Sequence, residues 1–293
     1  MVTVRAPATS ANLGSGFDVF GVALDRPADV VHVERAAETT IDVTGMGADF
    51  IPEEPMDNTA GVVAEELGAP AHISIDKGVR PSSGLGSSAA SAAGAAVALA
   101  ELYDRDLSKR ELVRVAAEGE AAVSGDAHAD NVAPAILGGF TVVRDDGIER
   151  VAADLSLVVC LPDIVVSTRD AREVVPESAS IEDVVDTVGS AATLSIGMCR
   201  NDPERVGRGL EEHLVTPARA ALIDGYDAAC EAAREAGATG VTVSGAGPAI
   251  LAVCRDDDQR RVASALVDGF ERDGVDATAY RSRVGDGARV LRD

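Results

Sequence analysis

Residues 81–100 read PSSGLGSSAASAAGAAVALA, a Gly-Ser loop running directly into an alanine-rich helical segment. Gly84 and Gly86 let the backbone take positive φ angles and approach a ligand closely, while Ser87 and Ser88 place hydroxyls where the helix begins. The N–H groups of a helix's first turn lack intrahelical acceptors and carry the positive end of the peptide dipoles, so phosphate is the natural occupant of such a loop. A plain N-capped packing helix is the alternative, and the doubled Gly and Ser count against it. Only Lys77 and Lys109 are lysines and neither lies in the loop, which excludes a GxxxxGK[ST] phosphate loop.

Glu120 follows Val113, Ala116 and Ala117 at helical spacing and so belongs to an otherwise apolar stripe. An inward carboxylate needs a partner, either an arginine or a cation. Mg²⁺ commonly takes one or two protein oxygens and completes its octahedron with phosphate and water, so one Glu with one Ser hydroxyl is a sufficient protein share. Arg172 and Arg219 are candidates for clamping a carboxylate, because a guanidinium forms planar paired hydrogen bonds that an ammonium cannot copy. Thr168 stands four residues before Arg172. Taken alone, either arginine in an acidic chain also reads as a surface counter-ion.

These residues need strands and helices to position them, and the sequence supplies both. Short β-branched or alternating runs predict strands over 2–5, 29–34 and 71–76, with others over 138–144 and 155–161. Helices are predicted over 57–67, 87–102 and 108–123, the last opened by the capping box Ser108–Glu111. In the second half, helical periodicity covers 181–199, 203–214, 217–235 and 257–273. A hairpin is predicted over 239–254 around Gly245-Ala246-Gly247-Pro248, with closing strands over 277–284 and 288–291. The Asp145-Asp146-Gly147 turn marks a candidate junction, so an α+β chain of two domains, 1–150 and 151–293, is expected.

Composition narrows the function classes. The 293 residues are 46% hydrophobic, enough for a real core, and 49 acidic against 26 basic residues leave a net charge of −23. Such a field opposes nucleic acid and anionic membranes. It suits a salt-rich cytoplasm, where self-repulsion is screened over about 3 Å at molar salt; loss of far-ultraviolet dichroism on dialysis out of molar KCl checks this expectation, and unchanged dichroism refutes it. The four cysteines, Cys160, Cys199, Cys230 and Cys254, form no CxxC pair, and the four histidines form no metal pattern, so a reduced, soluble, cytoplasmic protein without a zinc site is expected.

PSSGLGSSAAS resembles the second signature motif of the GHMP kinases, a superfamily of small-molecule ATP-dependent kinases. Four further blocks narrow the resemblance to the homoserine kinases: APATSANLGSGFDVFGVALDRP (6–27), EGEAAVSGDAHADNVAPAILGGF (118–140), PDIVVSTRDAREVVP (162–176) with TPAR (216–219), and VSGAGPAILAV (243–253). The resemblance implies a ribosomal-protein-S5-like N-terminal domain, a ferredoxin-like C-terminal domain and a homodimer. It implies ATP held by Pro81, Ser82, Ser83, Gly84, Leu85, Gly86, Ser87 and Ser88, with Asn58 at adenine, where a plain N-cap is the competing role. Mg²⁺ falls to Ser88 and Glu120. For the acceptor it implies Asn12, Asp18 and Asp130 at an ammonium, Thr168, Arg172 and Arg219 at a carboxylate, and Asn131 at the hydroxyl; Asp18 also reads as a turn residue. Asn131 stands where mevalonate kinases are expected to carry a catalytic Asp, and an amide cannot act as a base. Gly245 to Pro248 would close over the substrate end, and His128 would orient its loop. The implied activity is transfer of phosphate from ATP to the hydroxyl of L-homoserine. Shikimate or mevalonate as acceptor, or a non-catalytic ATP-binding sensor, are the alternatives.

Overall fold

The computed structural model describes residues 1–125 and 129–292; His128, and the role given to it, lies outside them. Strands β1 (Val2–Ala11), β2 (Phe20–Arg35), β3 (Thr40–Gly45) and β4 (Ala71–Lys77) lie in the order β1-β2-β4-β3. The hairpin β5 (Phe140–Arg144) and β6 (Gly147–Val151) joins through β5 to β2. Helices α1 (Thr59–Glu66), α2 (Ser87–Leu102) and α4 (Ala129–Leu137) pack with this sheet, and α3 (Lys109–Ser124) packs on those three helices. The small residues of α2 matter to that packing, since a Cβ at Gly94 would stand 2.5 Å from Val31 Cγ2 on β2. The predicted capping box of α3 is present, with Ser108 and Glu111 satisfying each other's backbone N–H groups.

The second sheet has the order β10-β7-β9-β8, all antiparallel, from β7 (Ser156–Pro162), β8 (Ala238–Val243), β9 (Ile250–Cys254) and β10 (Ala277–Arg283). Around it run α5 (Thr168–Glu173), α6 (Ile181–Arg200), α7 (Pro203–Gly209), α8 (Val215–Ala220), α9 (Tyr226–Glu235) and α10 (Gln259–Arg272). β7 is buried throughout, and its alternation serves two cores. Leu157, Val159 and Leu161 join the core of the first sheet, whereas Val158 and Cys160 pack with Phe270 and Leu266 of α10.

Two expectations are corrected. Residues 217–235 are two helices, because Gly225 turns the chain at φ +81° between α8 and α9. The helix expected over 203–214 stops at Gly209, where any Cβ would stand 2.4 Å from Leu194 N. Asp145-Asp146-Gly147 makes the turn of the β5–β6 hairpin, so the chain leaves the first sheet only after Val151. A last strand, β11 (Arg289–Val290), returns to the first sheet beside β1, although a partition at residue 150 assigns it to the second half. Among the described residues no helix is long and apolar enough to cross a membrane, and no three His, Cys, Asp or Glu side chains are grouped to hold a metal.

Candidate active site

The loop from Gly78 to Gly86 joins β4 to α2 and forms one wall of a cleft of about 440 Å³. Ser82, Gly84 and Gly86 have φ of 52°, 78° and 63°. Two of these glycines are dictated by close approach. A Cβ on Gly84 would lie 2.4 Å from the Ser244 carbonyl oxygen, and one on Gly86 would lie 2.1 Å from Thr9 Oγ1 and 2.8 Å from Asn131 Oδ1. The first contact locks the loop to the turn after β8, where Ser244 Oγ also donates to Gly84 O at 2.8 Å and Ala249 N donates to Ser83 O at 3.1 Å. That turn is therefore seated on the Gly-Ser loop as well as lining the cleft through Gly245, Ala246 and Gly247.

The loop serines divide their tasks. Ser87 Oγ donates to Val79 O at 2.7 Å, and Ser83 Oγ accepts from Leu85 N at 3.3 Å, so both hydroxyls shape the loop. Ser88 Oγ donates to Glu120 Oε2 at 2.8 Å. Neither Ser87 nor Ser88 caps α2, whose N-cap is Gly86. Leu85 contributes backbone alone: its side chain is buried in the core, and its carbonyl accepts from Thr9 N at 3.0 Å. Glu120 is 2% exposed, and burial pushes its carboxyl up to about 7 against the Ser88 hydrogen bond and the Lys77 charge. These two hard oxygen donors, side by side at the helix end of a phosphate loop, fit Mg²⁺ completed by phosphate and water.

Asn58 takes the N-cap role. Its Oδ1 accepts from Ala60 N at 3.0 Å and its Nδ2 donates to Pro52 O at 2.7 Å, so the amide is engaged with the protein on both sides while it lines the cleft. Pro81, Ser82, Ser83 and the exposed Phe50 line the same end.

Asn131 and Asp130 sit in the first turn of α4, which has no sequence-based counterpart because it is short and contains Pro134. Thr9 Oγ1 donates to Asn131 Oδ1 at 2.8 Å, fixing the amide so that Nδ2 is its remaining donor side. The other end of the cleft gathers Asn12, Asp18, Thr168, Arg172 and Arg219 from both halves of the chain. Asn12 Nδ2 donates to Gly245 O at 3.1 Å, and its Oδ1 accepts from Asp18 N at 3.0 Å. Asp18 and Arg172, expected on opposite charges of one ligand, form an ion pair of 2.7 Å with each other. Arg219 is buried, donating to Gly245 O at 2.7 Å and Ala171 O at 3.1 Å; burial and the nearby Arg172 charge pull its pKa below the ordinary value. The Phe17 ring centre is 5.2 Å from the Arg172 guanidinium carbon and 5.0 Å from that of Arg219. Thr168 opens α5, exposed at the rim.

Sequence reasoning missed Lys77, Asp29 and Thr9. Lys77 ends β4 under the loop and is paired with Asp29 of β2, both fully enclosed. Lys77 and Asp29 fall outside every motif quoted above, and Thr9, though inside the block 6–27, meets its partner only across the fold.

Residues 56–139 match the family described as GHMP kinases N terminal domain, and residues 194–272 match GHMP kinases C terminal. Homoserine kinase of Halobacterium salinarum is 73% identical over 99% of this chain and 97% of its own. That of Halorubrum lacusprofundi is 69% identical over all of both chains. The crystal structure of homoserine kinase from Cytophaga hutchinsonii superposes with a TM-score of 0.91 at 35% identity, covering 99% of this chain and 97% of the other. With its phosphate loop, its cleft and its two sheets accounted for along their whole length by these relatives, the chain belongs to the homoserine kinases of the GHMP kinase superfamily.

Proposed function

We propose that the chain transfers the γ-phosphoryl group of ATP to the side-chain hydroxyl of L-homoserine, giving O-phospho-L-homoserine and ADP. The observation that carries this reading is one cleft with a glycine-forced phosphate loop at one end and an Asp18–Arg172 ion pair at the other, with Asn131 between. An amino acid carries both charges needed to replace that pair. Its ammonium takes Asp18 with Asn12 and Asp130 nearby, and its carboxylate takes Arg172, Thr168 and Arg219, so one exposed ion pair is exchanged for two. Breaking an exposed pair costs about 0–1 kcal/mol, which leaves the exchange favourable. Mevalonate and shikimate have a carboxylate but no ammonium and would leave Asp18 without its counter-charge.

Ser88 and Glu120 hold Mg²⁺ in this reading, and bound there the ion neutralises charge on the β- and γ-phosphates. The loop N–H groups hold the transferring group, and Asn131, fixed by Thr9, donates from Nδ2 to orient the acceptor oxygen. That oxygen forms its bond to γ-phosphorus as the bond to the bridging oxygen of ADP breaks. The Asn131 amide cannot act as a base, so in this reading the proton goes to a phosphate oxygen or to water, and rate comes from positioning and charge stabilisation. A homodimer is part of the proposal, with Ile181, Val185 and Val188 on the exposed face of α6 as its candidate surface; a monomer in sedimentation at working concentration would remove it.

ADP release with ATP and Mg²⁺ in molar KCl, run with L-homoserine, shikimate, mevalonate or no acceptor, tests the proposal. Turnover with homoserine alone is expected. Preference for another acceptor would overturn the assignment of Asp18, and ATP binding without turnover on any of them would favour a sensor.

A further inference from the structure

Lys77 is 3% exposed at the end of β4, directly below the phosphate loop. An ammonium has three donors and no acceptor. Here one donor goes to the Asp29 carboxylate, one to Ser87 O at 2.8 Å and one to Ser91 Oγ at 2.8 Å. All three are thus directed at the protein. Asp29, fully buried in β2, accepts from Gly78 N at 3.1 Å and Val79 N at 3.0 Å through Oδ1, and from Ser91 Oγ at 3.0 Å through Oδ2. The acid of the pair therefore holds the residues at which the loop begins, and the base holds the helix turn at which it ends. Ser87 Oγ closes the ring by donating to Val79 O at 2.7 Å.

We infer that Lys77 is a positioning residue for phosphoryl transfer: paired with Asp29 and Ser91, it fixes the two ends of the loop, and hence the direction of the loop N–H groups, without touching the phosphates. This rests on the loop being the ATP site. It differs from the lysine of a P-loop, which reaches the phosphates themselves. A buried ion pair that served stability alone would be replaceable by neutral residues of similar volume with little consequence. This one joins loop start to loop end, so its neutral replacement should change how ATP is held.

Asp29→Asn with Lys77→Met removes both charges together, and Ser91→Ala removes one tie while keeping the pair. In molar KCl the double variant is expected to melt cooperatively, with KM for ATP raised at least about tenfold and KM for homoserine within about twofold of the parent. Ser91→Ala is expected to raise KM for ATP about threefold with melting still cooperative, at a lower temperature because one Lys77 N–H loses its acceptor. If the double variant does not fold, Ser91→Ala decides alone. The inference is overturned if KM for ATP stays within twofold of the parent in the folded variants, or if both KM values rise together, which would mean general loosening. A fall in kcat with KM for ATP unchanged would also overturn it, because that result belongs to a lysine touching the transferring group. The parent's turnover is measured first; should it be silent, the proposed function fails, and dissociation constants from a fluorescent ATP analogue carry the same comparison.

Discussion

The two ends of the cleft are built on different principles. At the phosphate end Lys77, Asp29, Ser83 and Glu120 are at most 3% exposed, and their polar atoms are tied to backbone and to neighbouring side chains. At the acceptor end the Arg172 and Asp18 side chains are 41% and 48% exposed and hold each other. Phosphate groups are the same in every cycle, so a site for them can be fixed in advance by buried ties, and fixed donors lose nothing to reorganisation during the reaction. In the proposed reaction the acceptor enters and leaves as a zwitterion, and charges parked on each other in water are released cheaply.

Replacing a buried group at the phosphate end should cost most. Glu120→Gln is expected to lower Mg²⁺-dependent kcat about a thousandfold, roughly 4 kcal/mol, as a preorganised charge-stabilising site is lost; undiminished turnover would remove Glu120 from the site. The same variant should gain stability when Mg²⁺ and nucleotide are absent. Burial raises the Glu120 carboxyl from 4.5 to about 7. Between those values the folded chain keeps a proton that the unfolded chain has released, so the parent loses stability as pH rises through the window. The urea-unfolding gap between Glu120→Gln and parent should accordingly grow from near zero at pH 4.5 to about 3 kcal/mol above pH 7. A gap independent of pH would count against burial as the cause.

Changes at the exposed end should cost less and fall on binding. Arg172→Ala is expected to raise KM for homoserine about thirtyfold, near 2 kcal/mol, with KM for ATP unchanged in the same steady-state series. Asp18→Asn should cost about 1 kcal/mol, roughly fivefold, and only for acceptors with an ammonium. Comparing homoserine with 4-hydroxybutyrate in that variant sharpens the contrast. Equal losses on both acceptors would show that Asp18 shapes the turn and does not read the ammonium.

The sequence was most legible where signals are local. The loop and α2 could be read because glycine, serine and alanine dominate residues 82–96, and Glu120 because Val113, Ala116 and Ala117 set an apolar stripe on α3. Long-range pairing was not legible. Asp29 and Lys77 meet because β2 and β4 are neighbours, and Thr9 meets Asn131 across the width of the site. The break at Gly225 escaped notice because apolar periodicity continues on both sides of it, and α4 because its internal proline argues against helix. The family motifs implied residue roles that spacing could not, yet gave no hint that Asp18 and Arg172 pair with each other.

Strand β11 ties residues 289–290 to residues 4–5 of β1. In the order of synthesis, β1 leaves the ribosome long before its outer neighbour. At about 5–20 residues per second, roughly 15 to 60 s separate the two. Throughout that interval the outer edge of β1 offers unpaired backbone groups to any passing strand, so the nascent chain is most open to mispairing at the side of the sheet that is finished last.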